Sequence, residues 1–402
     1  MVCQGPKVRG GIYLWYSSDG TLTGNRVFGN RAEQQDGGGV AVGYSPNGTF
    51  ESNEVFGNEA RYGAGWYLFY SDGGTLTDNS VHDNEGSESG GGIYPLSSDD
   101  VALEDNDIAS NSATSGAGVS LVGSSRALLT GNQVRDNTGG EGNSGIEVRG
   151  SSGVTLRENR IHGNGGGENG GVWIQQSNNI TMTANVIYSN TCMDDGGGLY
   201  LRDNGTATLE ANVIYRNTAG YGGGMYLLDN PAPLRFVNNI VADNQASMSG
   251  PGLYVKGCSP HLLHTTLARN TGGDGVGVYV TSGSAYLTNT ILVSHITGIY
   301  VSGDSTATLE ATLWGSGPWA NIDDLGGTGS IYVVAPALWP PPAFLNPAAS
   351  NYHIRAGSAA VDAGVDAGVT TDVDGELRVR APDIGADEMR AVYLPLVMRT
   401  YP

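Results

Sequence analysis

The feature that most constrains the fold is an asparagine that recurs every 26 to 28 residues. The series comprises Asn30, Asn58, Asn84, Asn111, Asn137, Asn164, Asn190, Asn217, Asn244 and Asn270. A second asparagine lies five residues before each of the first nine members, and Thr265 takes its place before the tenth. A fixed period of this length is typical of solenoid proteins, in which each repeat is one supersecondary unit.

Each repeat contains three short segments of alternating apolar residues, separated by turns rich in Asp, Asn, Gly and Ser. In one repeat these segments are 199–201, 207–210 and 213–215. Alternation directs one set of side chains inward, and stacked coils bury what one coil cannot. The sequence predicts an all-β, right-handed, single-stranded parallel β-helix of about 13 coils. We expect Leu22, Leu76, Leu156 and Leu209 to form one buried column.

A glycine-rich run followed by an apolar-x-apolar pattern marks the first strand of each coil. These strands are predicted to begin at Ile12, Val40, Trp66, Ile93, Val119, Ile146, Val172, Leu199, Met225, Leu253, Val278, Ile299 and Ile331. The period excludes a propeller, whose blades need about 40 residues, and the chain lacks the consensus of leucine-rich repeats. The asparagines are expected to occupy the turns, where they tolerate unusual backbone angles and can bond to neighbouring coils.

The regularity fades after residue 315, and Trp339-Pro340-Pro341-Pro342 reads as a break. We therefore predict a β-helix over residues 1–338 and a C-terminal cap or anchor region over 339–402. A solenoid needs such a region because a bare terminal coil is an open sheet edge.

Composition narrows the possible partners. The formal net charge is −20, which repels nucleic acid and anionic membranes and favours cations, basic partners or neutral glycans. A run of apolar residues long enough for a membrane span is absent. The three cysteines fall at different places in the repeat, so no disulfide is expected.

The repeats resemble those of chlamydial polymorphic outer-membrane proteins and, more broadly, of bacterial right-handed β-helix repeat proteins. The resemblance rests on Phe28-Gly29-Asn30-Arg31-Ala32 before Gly37-Gly38-Gly39-Val40, and on Tyr215-Arg216-Asn217-Thr218-Ala219 before Gly222-Gly223-Gly224-Met225-Tyr226. It covers about residues 10–315 and implies surface display and adhesion. We expect no counterpart of that family's autotransporter barrel in these residues.

The C-terminal region resembles the choice-of-anchor region of secreted bacterial β-helix proteins. The matching residues are Gly357-Ser358-Ala359-Ala360-Val361-Asp362-Ala363-Gly364, Asp372-Val373-Asp374-Gly375 and Asp383-Ile384-Gly385-Ala386-Asp387-Glu388. The two resemblances together imply an extracellular bacterial protein at the cell surface.

Catalysis by β-helix enzymes needs clustered acids, or a base with calcium or arginine, on one face. The paired acids Asp99-Asp100, Asp194-Asp195 and Asp323-Asp324 occupy different points of the repeat and are not expected to converge. The expectation is therefore a protein that is not an enzyme: an adhesin or scaffold. The alternatives are a self-assembling subunit of an extracellular filament or sheath, and a polysaccharide-active lyase or hydrolase.

The outward residue of the first strand is aromatic in most coils, which predicts an external aromatic ladder. One interpretation is structural: the rings stack on one another and stabilise the sheet. The other is functional: the rings form a face for a glycan or a protein partner, including a second copy of the chain. The predicted face comprises Tyr13, Trp15, Tyr67, Phe69, Tyr94, Trp173, Tyr200, Tyr226, Tyr254, Tyr279 and Tyr300, with Tyr332 continuing the ladder.

Acidic residues follow the second asparagine at the same distance in three successive coils: Glu141, Glu168 and Asp194. Three carboxylates that leave the rod one above another repel each other unless they are solvated, splayed or bridged. Calcium accepts several oxygen ligands with flexible geometry, so these residues are a predicted calcium site. Solvent screening alone can also relieve the repulsion. The sequence predicts no other cofactor.

Overall fold

The computed structural model describes residues 2–3, 10–142, 145–335 and 337–389. Sheet 1 has thirteen strands in chain order, each pairing in parallel with the strand one repeat away. The strands are Ile12–Trp15, Val40–Gly43, Trp66–Phe69, Ile93–Leu96, Val119–Val122, Ile146–Arg149, Val172–Gln175, Leu199–Arg202, Met225–Leu228, Leu253–Lys256, Val276–Thr281, Thr297–Val301 and Asp323–Gly327.

Sheet 2 has 24 strands in two ladders. Ladder 2a comprises Thr21–Thr23, Thr49–Glu51, Thr75–Thr77, Ala102–Glu104, Leu128–Thr130, Thr155–Arg157, Ile180–Thr183, Ala207–Glu210, Leu234–Val237, Pro260–Leu263, Ser284–Val293, Thr306–Leu313 and Ser330–Val333. Ladder 2b comprises Val2–Cys3, Arg26–Phe28, Glu54–Phe56, Ser80–His82, Asp107–Ala109, Gln133–Arg135, Arg160–His162, Val186–Tyr188, Val213–Tyr215, Ile240–Ala242 and Thr266–Ala268. Ser284–Val293 also pairs with the last strand of ladder 2b.

The third side of the rod is shorter. Its strands are Arg31–Asp36, Glu59–Tyr62, Glu85–Ser89, Ser112–Ala113 and Thr138–Gly139, and a separate pair, Thr218–Tyr221 and Gln245–Ser249. The chain visits sheet 1, ladder 2a and ladder 2b once per repeat, and neighbouring strands within these ladders of the described chain are parallel. The prediction of a parallel β-helix is confirmed.

A continuous apolar core fills the rod from Val27 to Trp314. Leu76, Leu156 and Leu209 are fully buried and lie in one register column, as predicted. Leu22 is only partly buried. It lies in the first strand of ladder 2a, where no strand of the described residues pairs with it on its N-terminal side.

The two asparagine series form buried hydrogen-bond ladders along the rod. The side-chain amide of Asn159, for example, donates to Oδ1 of Asn185 at 2.9 Å and to the Leu129 carbonyl at 2.8 Å. The expected contacts between coils are therefore confirmed. The expected backbone role belongs instead to the residue before each asparagine: Glu158 and Ala184 have φ of 55° and 54°. The positive φ at this residue directs the side-chain amide of the following asparagine towards the interior of the rod.

Serine forms a third polar ladder that the sequence pattern did not suggest. It occupies the turn after sheet 1, where the N–H of Ser98 donates to Oγ of Ser124 at 3.0 Å and Ser124 repeats this contact with Ser151. Asn204 and Asn230 continue the ladder. Cys258 is buried and its thiol is free, as is that of Cys192.

The coils shorten towards the C-terminal end. Val278 pairs with Ile299 and Tyr286 with Thr308, both closer in sequence than the earlier period. The prediction that sheet 1 resumes at Ile331 is wrong, because Asp323–Gly327 is the thirteenth strand of that sheet. Ile331 and the exposed Tyr332 lie instead in ladder 2a.

Residues 344–389 pack against the side of the rod. An antiparallel hairpin, Phe344–Asn346 with Asn351–Ile354, and two short 3-10 helices, Gly317–Trp319 and Pro347–Ala349, belong to this end of the described chain. A second apolar cluster joins Phe344, Tyr352 and Ile384 to outward residues of ladder 2b such as Ile240 and Ala268. This region therefore covers a lateral face. Its last residues, 390–402, lie outside the described residues.

Candidate functional site

One outward residue from each of the first twelve strands of sheet 1 lies in a single column on the side away from the core. The column comprises Tyr13, Ala41, Tyr67, Tyr94, Ser120, Glu147, Trp173, Tyr200, Tyr226, Tyr254, Tyr279 and Tyr300. Ring centroids of Tyr254 and Tyr279 are 4.8 Å apart, and those of Tyr226 and Tyr254 are 5.0 Å apart. The predicted stacking at the strand spacing is confirmed.

Most of this column is not an open platform. Tyr200 and Tyr226 are each only 5% exposed. The turn before each strand lies against the base of the ring: a Cβ on Gly196 would approach Cβ of Tyr200 to 2.7 Å. These buried rings mainly stabilise the sheet. A ligand can reach the column only where the tyrosines are exposed or where another residue type replaces them.

The N-terminal end carries an exposed aromatic patch, which we call the N-terminal aromatic patch. It comprises Tyr13, Trp15, Tyr16, Tyr44, Phe69 and Tyr70. Tyr16 is 76% exposed and Tyr70 50% exposed. The turn tyrosines have φ of 46° to 53°, a conformation that bulky side chains rarely adopt. Stacking between their rings offsets part of that cost.

A buried carboxylate interrupts the column near the middle of the rod. Glu147 is 1% exposed, and its Oε2 accepts hydrogen bonds from Ser120 Oγ at 2.7 Å and Ser115 Oγ at 3.3 Å. The nearest positive charge, Arg149, is 3.7 Å from Oε1. Trp173 follows Glu147 in the column. The ladder therefore changes from tyrosine to serine, glutamate and tryptophan at this place.

Next to Trp173 lies a cavity of about 350 Å³, which we call the acidic pocket. Its lining residues are Glu168, Asn169, Trp173, Asp194, Asp195, Tyr200, Arg202 and Tyr221. Sheet 1 supplies Trp173 and Tyr200, and the turns that precede two successive strands supply the acids. The N–H of Asp195 donates to the Glu168 carbonyl at 3.1 Å, which fixes one turn against the other.

Burial, helped by the nearby Asp194, raises the pKa of Asp195 to about 6, whereas Lys256 acts in the opposite direction. A carboxyl group with this pKa can hold or release a proton near neutral pH. Burial and the charge of Asp195 also raise the pKa of Tyr200, so its hydroxyl remains a proton donor. The indole N–H of Trp173 is buried and finds no hydrogen-bond partner among the described residues.

The structure brings together two of the three predicted calcium ligands. Glu168 and Asp194 line the acidic pocket, whereas Glu141 is exposed on the preceding coil and is not among its lining residues. Within the described chain, the three residues do not form a group whose ligand atoms lie within 4.8 Å of one another. Calcium binding at this place stays a prediction.

The sequence brings Glu168 and Asp194 together on successive coils, but it did not indicate that Asp195 joins them or that Trp173 and Tyr200 line the same cavity. The paired acids were compared by their positions within one repeat, whereas the pocket is built between two turns on successive coils. The other acid pairs have local partners: Arg126 bonds to both Asp99 and Asp100, and Trp339 Nε1 donates to Asp324. The available signal was two acidic turns in adjacent coils flanking an outward tryptophan.

The family model described as "Right handed beta helix region" matches residues 7–134 and 91–271. The chain belongs to the right-handed β-helix family. The more specific resemblances to chlamydial repeats and to a choice-of-anchor region have no such match. Among curated protein sequences, none matches this chain.

Several solved structures share the fold. The A-module of the Azotobacter vinelandii mannuronan C-5 epimerase AlgE6 is 12% identical, with 85% of this chain and 88% of that chain covered and a TM-score of 0.47. The pectate lyase Pel9A is 12% identical, with coverage of 95% and 89% and a TM-score of 0.40. PfbA, a surface adhesin of Streptococcus pneumoniae, is 7% identical, with coverage of 81% and 79% and a TM-score of 0.38.

These structures correct the expectation that the chain is not an enzyme. Structures that share its fold include mannuronan epimerases, a pectate lyase and an alginate epimerase described as periplasmic, so the fold itself does not exclude an enzyme. The likeness itself, at these identities, shows the fold alone. The acidic pocket removes the physical basis of the expectation, because Glu168, Asp194 and Asp195 line one cavity. Within the described residues no helix has the length and apolar character needed to cross a membrane.

Proposed function

We propose that the protein is an extracellular polysaccharide-binding β-helix that hydrolyses a glycosidic bond in the acidic pocket. The observation that carries the proposal is the position of Asp195, a partly buried carboxyl group whose pKa is raised to about 6 in a cavity lined by Trp173 and Tyr200. The lining is mainly polar, with Trp173, Tyr200 and Tyr221 as its aromatic side chains, and the volume of about 350 Å³ lies within the usual range of small-ligand sites.

Glycosidic bond hydrolysis generally uses two carboxyl groups in different protonation states. Asp195 serves as the acid that protonates the leaving oxygen, since its raised pKa keeps a larger fraction protonated near neutral pH. Glu168 or Asp194 then serves as the second carboxylate, which acts on water or on the sugar ring. Arg202 and Tyr200 line the same cavity and offer hydrogen-bond donors to sugar hydroxyls.

The charge of the pocket favours a neutral or amino-sugar polysaccharide. Three carboxyl groups face one lining arginine, and the whole chain carries a formal charge of −20. A uronate chain would bring further negative charge into this site and would need a bridging cation. Neutral hydroxyls or protonated amines meet no such repulsion.

The test is a panel of neutral, amino-sugar and uronate polysaccharides, the last with and without calcium. Affinity electrophoresis measures binding, and released reducing ends measure hydrolysis. We expect binding and hydrolysis of a neutral or amino-sugar chain. Asp195→Asn should keep binding and lose about 10²–10⁴-fold in turnover, because it removes the proton donor and little volume. Trp173→Ala should lose binding.

Two matched substitutions outside the pocket control for general effects. Tyr286→Ala removes an exposed, stacked ring from ladder 2a, and Asp304→Asn neutralises an exposed turn carboxylate. Both should retain binding and turnover. Failure of the wild type to bind any of these chains refutes the proposal, whereas full turnover in Asp195→Asn refutes the assigned acid. Hydrolysis confined to uronates would overturn the charge argument.

The N-terminal aromatic patch supports a second candidate function, adhesion or lateral assembly at the cell surface. Four of its tyrosines are exposed, whereas column residues such as Tyr200 and Tyr226 are buried; the four are Tyr13, Tyr16, Tyr44 and Tyr70. Exposed aromatic patches of this kind are typical of partner-binding surfaces. Concentration-dependent light scattering separates assembly from adhesion to a glycan or another protein.

A further inference from the structure

Three segments of the C-terminal region bring one histidine and two aspartates together. His353 lies on the hairpin strand Asn351–Ile354, Asp374 in the turn that follows Asp372, and Asp387 near the end of the described chain. Each side chain offers one ligand atom, and the three atoms lie within 4.8 Å of one another. This cluster is separate in sequence and in lining residues from the acidic pocket.

The orientation of His353 is fixed by Asn351. Oδ1 of Asn351 accepts the backbone N–H of His353 at 3.1 Å and faces Nδ1 of the same residue at 2.7 Å. Because Oδ1 only accepts, Nδ1 carries the hydrogen. Nε2 of the neutral ring then presents a lone pair to Oδ2 of Asp374, which lies 2.9 Å away. Two lone pairs at this distance repel each other unless a proton or a cation lies between them.

The burial of Asp387 is a second observation that favours a cation at this cluster. Its side chain is 8% exposed, and its Oδ2 accepts the Ile354 N–H at 2.7 Å. No hydrogen bond from the described residues reaches its other oxygen. The charge of His353 favours the ionised carboxylate, whereas Asp372 and Asp374 contribute further negative charge. A buried carboxylate in such surroundings is costly unless a positive charge compensates it.

We propose that His353, Asp374 and Asp387 bind a divalent transition-metal ion of the zinc class. One imidazole with two carboxylates suits zinc or cobalt, whereas calcium prefers a shell of oxygen ligands. Ligand atoms of a tetrahedral zinc site are about 3.3 Å apart, given bonds of about 2.0–2.1 Å, so small side-chain rotations complete the site. The Nδ1–H bond to Asn351 is the outer-shell contact that metal-bound histidines usually make.

Asp372 is not a ligand in this site, although it begins the same turn. Its Oδ1 accepts the N–H groups of Asp374 and Glu376, and its Oδ2 accepts that of Glu388. Both oxygens are therefore committed to the backbone. The metal would tie the hairpin, the turn and the last described segment together, and so would hold this region against the side of the rod.

The experiment uses the full chain, first dialysed against a chelator. Calorimetry with ZnCl₂ and visible absorption with CoCl₂ should report one ion per chain. Asp374→Asn changes an exposed side chain and cannot unfold the core. Asp387→Asn keeps an acceptor for the Ile354 N–H. Each should weaken zinc binding by more than the about 10–100-fold expected when an outer-shell partner is lost, and Asn351→Ala should fall within that range.

A matched histidine elsewhere provides the control. His82 also lies near two carboxylates, Glu54 and Asp83, and is about as exposed as His353. His82→Gln should leave zinc binding unchanged, whereas His353→Gln should abolish the cobalt absorption. Wild-type protein that binds no zinc overturns the proposal and leaves His353 as an imidazolium paired with Asp374. Equal binding by wild type and Asp374→Asn overturns it as well.

Discussion

Replacement of Asn159 by alanine tests whether the asparagine ladders hold the coils together. Asn159 is fully buried in the middle of the rod, and its side chain takes part in four hydrogen bonds. Nδ2 donates to the Leu129 carbonyl at 2.8 Å and to Asn185 Oδ1 at 2.9 Å. Oδ1 accepts the backbone N–H and the side-chain amide of Asn132, both at 3.0 Å.

The expected loss of unfolding free energy follows from the polar groups that the substitution leaves without a hydrogen-bond partner. Alanine leaves the Leu129 carbonyl without its amide donor and two Asn132 donors without their common acceptor, in a place that solvent does not reach. Each buried polar group left unsatisfied costs about 1–3 kcal/mol. The remaining bond from Asn132 Nδ2 to the Leu103 carbonyl offsets part of this. We expect Asn159→Ala to lose about 3–6 kcal/mol of unfolding free energy.

The assay is equilibrium urea unfolding followed by circular dichroism. The control is Asn178→Ala, because Asn178 Oδ1 also accepts a backbone N–H, that of Thr206 at 2.9 Å, but in an exposed turn where water replaces it. The control should lose less than about 1 kcal/mol. A loss in Asn159→Ala no greater than that of the control would refute the reasoning and leave the apolar core as the main tie between coils.

Three further predictions concern titration, cations and association. Burial, together with the charge of Arg378, lowers the pKa of His264 from 6.5 to about 3. Between these two pH values the imidazole binds a proton in the unfolded chain but not in the folded one. The stability advantage of the wild type over His264→Gln should therefore shrink as the pH falls from about 6.5 towards 3, and a constant difference in urea unfolding contradicts this. If Glu141, Glu168 and Asp194 bind calcium, the ion should raise the melting temperature of the wild type but not of a Glu141→Gln, Glu168→Gln variant; a wild-type melting temperature indifferent to calcium excludes this site. Replacement of Trp15 and Phe69 by serine should weaken concentration-dependent association in light scattering more than it lowers the melting temperature, and unchanged association would return these rings to a structural role.

The repeat predicts the fold well because the same packing problem recurs in every coil. The inward column of Leu76, Leu156 and Leu209 follows from alternation and period alone. The error at Ile331 arises where the coils shorten, because a fixed period no longer relates sequence position to sheet. The lateral position of the C-terminal region has the same cause, since no repeat relates Phe344 or Ile384 to the strands that they contact.

The sites were harder to predict because they depend on contacts between coils and between non-repeating segments. Alternation predicts that Trp173 and Tyr200 share a face, but not that overhanging turns bury most of the ladder. The raised pKa of Asp195 depends on burial between two turns, which the spacing of acids does not reveal. His353, Asp374 and Asp387 come from three segments whose meeting has no signature in the sequence.

The places where the outward column departs from tyrosine deserve the greatest weight in assigning function. A stacked tyrosine stabilises its neighbours in any coil, so a different residue there gives up that stabilisation. Ala41 replaces tyrosine in the column, and Gly43 on the same strand leaves space for the Trp15 ring next to the exposed N-terminal aromatic patch. Glu147 goes further, because it places a buried carboxylate beside Trp173 at the edge of the acidic pocket. Each departure lies next to a surface with the chemistry to bind a partner or substrate. In a repetitive fold, functional sites are therefore best sought at the coils whose residues depart from the repeat pattern.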